Sequence, residues 1–164
     1  MRSEQEVDRA IQRYSDTVRR ICLVHLKNYA DTEDIFQTVF LKYVLSSVSF
    51  ESDEHEKAWF IRVTLNACRD LLKSFFRSRT VSLDQLVDRP DDLSQEHREV
   101  LEAVLSLPAK YRDVVYLHYY EGYTAKEIGE ILHKNTNTVY TLLTRARDQL
   151  RTALGGEAIE PTDP

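Results

Sequence analysis

Residues 62–79, RVTLNACRDLLKSFFRSR, place Arg62, Arg69, Lys73, Arg77 and Arg79 against one acid, Asp70. Arg62, Arg69 and Lys73 recur at spacings of seven and four, which puts them on one face of a helix. Trp59, Phe60, Phe75 and Phe76 lie close by in sequence. Cations that hold phosphates beside rings that stack on bases make a single-strand nucleic-acid surface. The same spacing also fits core aromatics under a solvated basic face. A second stretch, TAKEIGEILHKNTNTVYTLLTRAR (124–147), has the inward spacing of a helix-turn-helix in Ile128, Leu132, Val139, Leu143 and Ala146. Gly129 is the small residue where two helices approach, and Thr136 is the expected cap of the second helix, whose first residues would enter a major groove. That helix is poor in positive charge: its outer face reads Thr136, Asn137, Thr138, Tyr140, Thr141 and Thr144. His133 and Lys134 occupy the turn, where Gly and an apolar residue are usual. A third stretch, DTEDIFQTVFLKY (31–43), sets Asp34, Gln37, Thr38 and Leu41 opposite Ile35, Val39 and Phe40. That face is either a docking stripe or a solvated one.

No phosphate-binding loop, metal-ligand cluster or nucleophile–base pair stands out, so an enzyme is the least supported class and no cofactor or metal is expected. Cys22 and Cys68 have no CxxC or Cys/His spacing and fall on apolar helical positions, as core cysteines do. The net charge of −5 is unevenly spread. Residues 81–99 carry 2 Lys/Arg against 6 Asp/Glu, and residues 155–164 carry 0 against 3. The rest is near neutral, so the overall acidity does not argue against nucleic acid, which local patches decide.

The elements that must position these residues are all helical. Ser3 to Glu6 is a capping-box pattern. It is followed by Val7, Ile11, Tyr14, Val18, Ile21 and Cys22 at helical spacing, to about residue 26. Asp31 or Thr32 can cap a second helix with Ile35, Val39, Phe40, Tyr43 and Val44 inward. A polar connection from Ser46 to Asp53 leads to a long helix over about 54–77. Pro90 and four aspartates break the pattern, giving an expected acidic linker over 79–95. Further helices are expected near 95–106, 109–120, 124–133 and 136–153, with Pro108 opening one and Gly155-Gly156 stopping the last. The expected fold is all-α, in two small helical domains, 1–78 and 96–154, with a disordered tail over 155–164. No run approaches 18 apolar residues and no signal core opens the chain, so membrane insertion is not expected and a cytoplasmic location is.

Taken together and in order, these segments resemble the sigma-70 family of transcription initiation factors, and specifically its extracytoplasmic-function (ECF) group. EDIFQTVFLKY resembles region 2.2, AWFIRVTLNACRDLLKS regions 2.3 and 2.4, and residues 105–150 region 4. The short acidic linker in place of region 3 matches that group. The resemblance implies no catalysis of its own. It implies binding to core RNA polymerase, through the clamp coiled coil and the flap, and promoter recognition with help in opening the duplex. It implies that Asp34, Gln37, Thr38, Phe40 and Leu41 dock on polymerase. It further implies that Arg62, Asn66, Arg69 and Lys73 bind the −10 element, with Asn66 in the pocket of a flipped base. A carboxamide suits that place because it offers a donor and an acceptor to a base edge. The loop Ser49, Phe50, Glu51, Ser52, Asp53 and Glu54 closes on that base. Thr138, Tyr140, Thr141, Thr144, Arg145 and Arg147 match the −35 reading face. Relatives often carry an acid at Thr38 and cations at Tyr140 and Leu142, so weaker −35 binding with a shallower salt slope is expected. A cognate anti-sigma protein and a monomeric free state complete the implied picture. Two other readings compete: a sigma-like adaptor that no longer reads DNA, and a LuxR-type regulator that shares the helix-turn-helix.

Overall fold

A computed structural model describes residues 1–26, 28–78 and 95–155, without the side chains of 74–78, 95–98 and 101. The expected linker up to residue 94, Arg79, the tail from 156, and the side chains of Phe75, Phe76 and Arg77 lie outside the described residues. The chain divides into two compact units, Met1–Asp88 and Arg89–Pro164. All regular structure among the described residues is helical. No helix among them is long and apolar enough to cross a membrane.

The first unit packs three helices mutually: α1 (Glu4–Leu26), α2 (Tyr29–Leu45) and α3 (Asp53–Ser78). Ser3 accepts from the Glu6 N–H at 3.2 Å and donates its hydroxyl to the Glu6 carboxylate, which caps α1. The cap of α2 is Asn28, whose side chain accepts from the Asp31 N–H at 3.1 Å. Asp31 and Thr32 therefore stand inside the helix, and the expectation that either caps it is corrected. Asn28 is the better cap because its backbone is extended and its side chain can turn back to the free Asp31 N–H in the first turn. The seam is made by Tyr14, Val18, Ile21, Val39, Phe40, Tyr43 and Phe60, all nearly inaccessible. Each such side chain contributes roughly 1.5–3 kcal/mol on burial. Ile11 is 38% exposed, against expectation, because Ala10 and Tyr14 already take that stripe of α1. Cys22 and Cys68 are buried free thiols with their Sγ atoms 3.9 Å apart across α1 and α3.

One carboxylate is buried in this core. Glu56 is 6% exposed and accepts from the Tyr14 hydroxyl at 3.0 Å and the Tyr43 hydroxyl at 2.9 Å. Two phenol donors, one per oxygen, replace the water that a buried carboxylate loses. Burial and the neighbouring carboxylate push both phenols up to about 12.

The second unit holds α4 (Gln95–Ser106), α5 (Ala109–Val115), a π-helical turn (Tyr116–Tyr120), α6 (Ala125–Leu132) and α7 (Thr136–Ala153). The expected helix over 109–120 loses its α register at Tyr116, where the Glu121 N–H bonds to the Tyr116 carbonyl at 3.1 Å. Helix α7 packs on α5 and α6 through Val139, Leu142, Leu143, Ala146 and Leu150.

Candidate nucleic-acid and polymerase interfaces

On α3, Trp59, Arg62, Asn66, Arg69 and Lys73 follow each other at three or four residues and share one face. Asn66, Arg69 and Lys73 are exposed and Arg62 is half-buried. Arg69 Nη1 donates to Asn66 Oδ1 at 3.3 Å. A guanidinium has no acceptor, so only the amide oxygen can face it. The Asn66 NH2 is thereby turned to donate outward. Arg69, expected as a phosphate cation, also orients this carboxamide. Phe60 is fully buried, so of the expected stacking aromatics it belongs to the core. Trp59 is partly buried, with one edge on Phe60 at 5.0 Å and another on Tyr43 at 5.8 Å.

The expected loop is shorter than the pattern suggested. Asp53 and Glu54 already form the first turn of α3, whose His55 N–H donates to Ser52 Oγ at 3.1 Å. Two acids in that turn suit the positive end of the helix. Ser49, Glu51 and Ser52 are exposed, and Phe50 is half-buried against Tyr43 and Trp59. The Glu51 N–H donates to His55 Nδ1 at 3.1 Å. A recess of about 580 Å³ opens here, lined by Arg2, Tyr43, Ser49, Phe50, Glu51 and Ser52. That lies within the size range of small-ligand clefts. Trp59, edge-on to Phe50, shares its α3 face with Asn66, which stands two turns further along, about 10 Å at 1.5 Å per residue.

On α2, Asp34, Gln37, Thr38 and Leu41 form one exposed face, with Leu41 58% exposed. The Thr38 hydroxyl donates to the Asp34 carbonyl at 2.9 Å, so this residue presents its methyl outward. Phe40 is corrected: it is 6% exposed and packs between Phe36 and Phe60, 4.6 and 5.1 Å away. It can shape this face but not touch a partner. Leu45, 64% exposed and one turn beyond Leu41, was missed. Its i+4 spacing from Leu41 was the available signal.

The helix-turn-helix is α6 and α7. Thr124 and Glu127 close a full capping box on α6, at 3.2 and 3.0 Å. His133 ends α6 in the left-handed region, with φ of 56°. The turn brings the Lys134 carbonyl so close to Gly129 that a Cβ there would stand 2.5 Å from the oxygen. Gly129 is therefore needed by the turn rather than by the facing helix. Asn135, not Thr136, caps α7 by accepting from the Asn137 and Thr138 N–H groups at 2.9 and 3.4 Å. Thr138, Tyr140, Thr141, Thr144 and Arg145 are exposed, with Tyr140 at 42%. Arg147 is half-buried, donates from Nε to the Tyr119 hydroxyl and lies over its ring. Tyr119, in the π-helical turn, was not anticipated. Leu142 is 7% exposed, so it belongs to the core and is not a place for a phosphate-binding cation. Among the described residues no group of acids, histidines and cysteines could hold a metal.

A three-helix unit with a cation and carboxamide stripe, followed by a helix-turn-helix unit, is the architecture of a two-region initiation factor. Sigma-70 region 2 matches residues 10–79 and sigma-70 region 4 matches residues 97–150, and the chain belongs to the sigma-70 family, in its ECF group. It is similar to the RNA polymerase sigma factor SigV of Bacillus subtilis, 29% identical over 84% of each chain. The ECF RNA polymerase sigma factor SigW of the same organism is 28% identical, over 86% of this chain and 84% of its own. The fold is shared with the sigma factor RpoE of Bartonella quintana, solved in complex with the anti-sigma factor NepR. Its TM-score is 0.76 at 17% identity, over 96% of this chain and 99% of that one.

Proposed function

We propose that this chain is a promoter-specificity subunit of bacterial RNA polymerase. It binds core polymerase, directs it to a promoter and helps to open the duplex. The exposed α2 face of Asp34, Gln37, Thr38, Leu41 and Leu45 docks on the clamp coiled coil. The α3 stripe holds the displaced single strand through Arg62 and Lys73, and Asn66, oriented by Arg69, donates to a flipped −10 base. The recess beside the 49–52 loop receives that base. The α7 face reads the −35 element through Tyr140, Thr141 and Thr144, while Arg145 supplies phosphate charge. The chain performs no catalysis of its own and works in the cytoplasm, where an anti-sigma partner sequesters it as a monomer. The solved relatives caught with such partners support that last step.

The observation that carries this reading is the α3 stripe, in which four polar residues, Arg62, Asn66, Arg69 and Lys73, share one face and two of them are bonded to each other. Permanganate reactivity of unpaired thymines on promoter DNA, with polymerase reconstituted with this chain, is the test. Reactive thymines are expected in the −10 region, and they should vanish with Asn66→Ala while the variant still co-elutes with polymerase. Undiminished reactivity in the variant refutes the assignment. One observation favours a second reading, a polymerase-binding adaptor that does not read DNA: the α7 face is nearly uncharged and Arg147 is turned to Tyr119. Co-elution without any thymine reactivity would establish it.

A further inference from the structure

Arg2 stands ahead of α1, at the wall of the recess beside the 49–52 loop, and it touches both the end of α2 and the loop that follows. Its N–H donates to the Val44 carbonyl at 3.0 Å, its Nε to the Tyr43 carbonyl at 3.0 Å, and its Nη2 to the Val48 carbonyl. The guanidinium lies over the Tyr43 ring at 4.3 Å and 5.1 Å from the Phe50 ring centroid. Glu6 holds it from the other side at 3.3 Å, and the Arg2 side chain is only 11% exposed. Tyr43 and Val44 lie in the last turn of α2, where carbonyls lack an i+4 N–H partner and a cation is favoured, and the Tyr43 carbonyl also accepts from the Ser46 N–H at 3.2 Å. Val48 and Phe50 belong to the loop.

Apart from Arg2, the loop is held by Phe50 packing on Tyr43, Trp59 and His55, by Ser52 accepting from the His55 and Glu56 N–H groups, and by two further bonds. The Val48 N–H donates to Ser46 Oγ and the Glu51 N–H to His55 Nδ1, both at 3.1 Å. A segment with few bonds spreads over many conformations, because each loosely held residue regains backbone freedom when released. A planar cation that bonds carbonyls on two elements and stacks on two rings removes that freedom. With so little of the guanidinium left to solvent, its place is inside the unit rather than on a phosphate.

We propose that Arg2 is a positioning residue for base selection. By clamping Val48 and Phe50 to the end of α2 it fixes one shape of the 46–52 loop, and so sharpens discrimination at the −10 base this loop meets. The proposal rests on the −10 reading of the loop given above. Lysine cannot replace it, because a single ammonium cannot bond both carbonyls and lie flat on both rings.

The chain has one tryptophan, Trp59, whose ring meets Phe50 edge-on at 6.0 Å. Its fluorescence therefore reports the loop without any DNA. Acrylamide quenching of Trp59 should rise by about twofold in Arg2→Ala and in Arg2→Lys, with helical circular dichroism unchanged, because the loop opens locally. Unchanged quenching overturns the proposal. In reconstituted polymerase, the preference for the native base at the −10 position should fall by about tenfold in both variants, the scale of one lost base contact. Reduced output with the base preference retained also overturns it, since a merely weakened fold behaves that way. Phe50→Ala and Glu51→Ala separate the two ideas. If both keep the base preference while Arg2→Ala still loosens Trp59, the loop reading is the part that fails, and selectivity through Arg2 fails with it.

Discussion

His133 shows what a single residue costs this turn. An L side chain in the left-handed region is strained by roughly 1–3 kcal/mol, and glycine relieves that strain while adding freedom to the unfolded chain. His133→Gly should therefore stabilise the second unit modestly, by about 1 kcal/mol at most in urea titration. Gly129→Ala should do the reverse. Its Cβ would press on a backbone carbonyl 2.5 Å away, which cannot rotate aside, and a loss of about 1–3 kcal/mol is expected on the same titration. In the first unit, Tyr14 and Tyr43 hold their protons more tightly folded than unfolded, with folded values near 12 against an ordinary 10. Their contribution is complete below pH 10 and is lost as pH rises through about 12. Ultraviolet titration should show two phenols ionising near pH 12, together with the loss of helical signal. Ionisation of Tyr14 and Tyr43 near pH 10 in a still-folded chain would contradict the buried Glu56 arrangement.

At the scale of elements, Asn135 and the α2 face carry the tests. Asn135→Ala removes a cap that serves two N–H groups and should cost α7 about 1 kcal/mol, read by chemical unfolding. Leu41→Asp with Leu45→Asp places charge on side chains that are already 58% and 64% exposed. Helicity should be unchanged and co-elution with core polymerase lost, whereas retained co-elution would move the docking site elsewhere. The helices themselves were legible because apolar residues recur at three and four: Val18, Ile21, Val39, Ile128 and Val139 all fall in the core as the periodicity requires. Caps were less legible. Asn28, Asp31 and Thr32 are all good cap residues, and which one begins α2 depends on the backbone angle of Asn28, which no spacing reveals. The same holds for Asn135 against Thr136. The candidate site was legible where its residues lie along one helix, as in the α3 stripe. It was hidden where contact crosses elements: Arg2 reaches the loop 46 residues away, and Tyr119 meets Arg147 across 28. Phe40 and Leu142 were misplaced for a related reason, since a position matched to a partner-facing role can still turn its side chain into the core.

For the whole molecule, charge distribution sets the expected dependence on salt. The net negative charge comes from residues 81–99 and 155–164, which include none of the proposed DNA-binding residues. With Leu142 buried, Tyr140 is the single outward position where a cation is missing relative to the family pattern. The slope of promoter affinity against salt should accordingly be shallower by about 0.9, one phosphate contact, than for a relative with a cation there. Tyr140→Lys should restore it. On the proposed reading, weak −35 binding would be tolerable, since polymerase would join both units to one promoter and the second contact would form at high effective concentration. The most direct measurement is run-off transcription by bacterial core RNA polymerase on promoter DNA, with the chain, without it, and with Asn66→Ala. A specific transcript that requires the chain and is lost in the variant, with polymerase co-elution intact, is the predicted result. A transcript of equal strength from Asn66→Ala, or none at all from the unaltered chain bound to polymerase, would contradict the account.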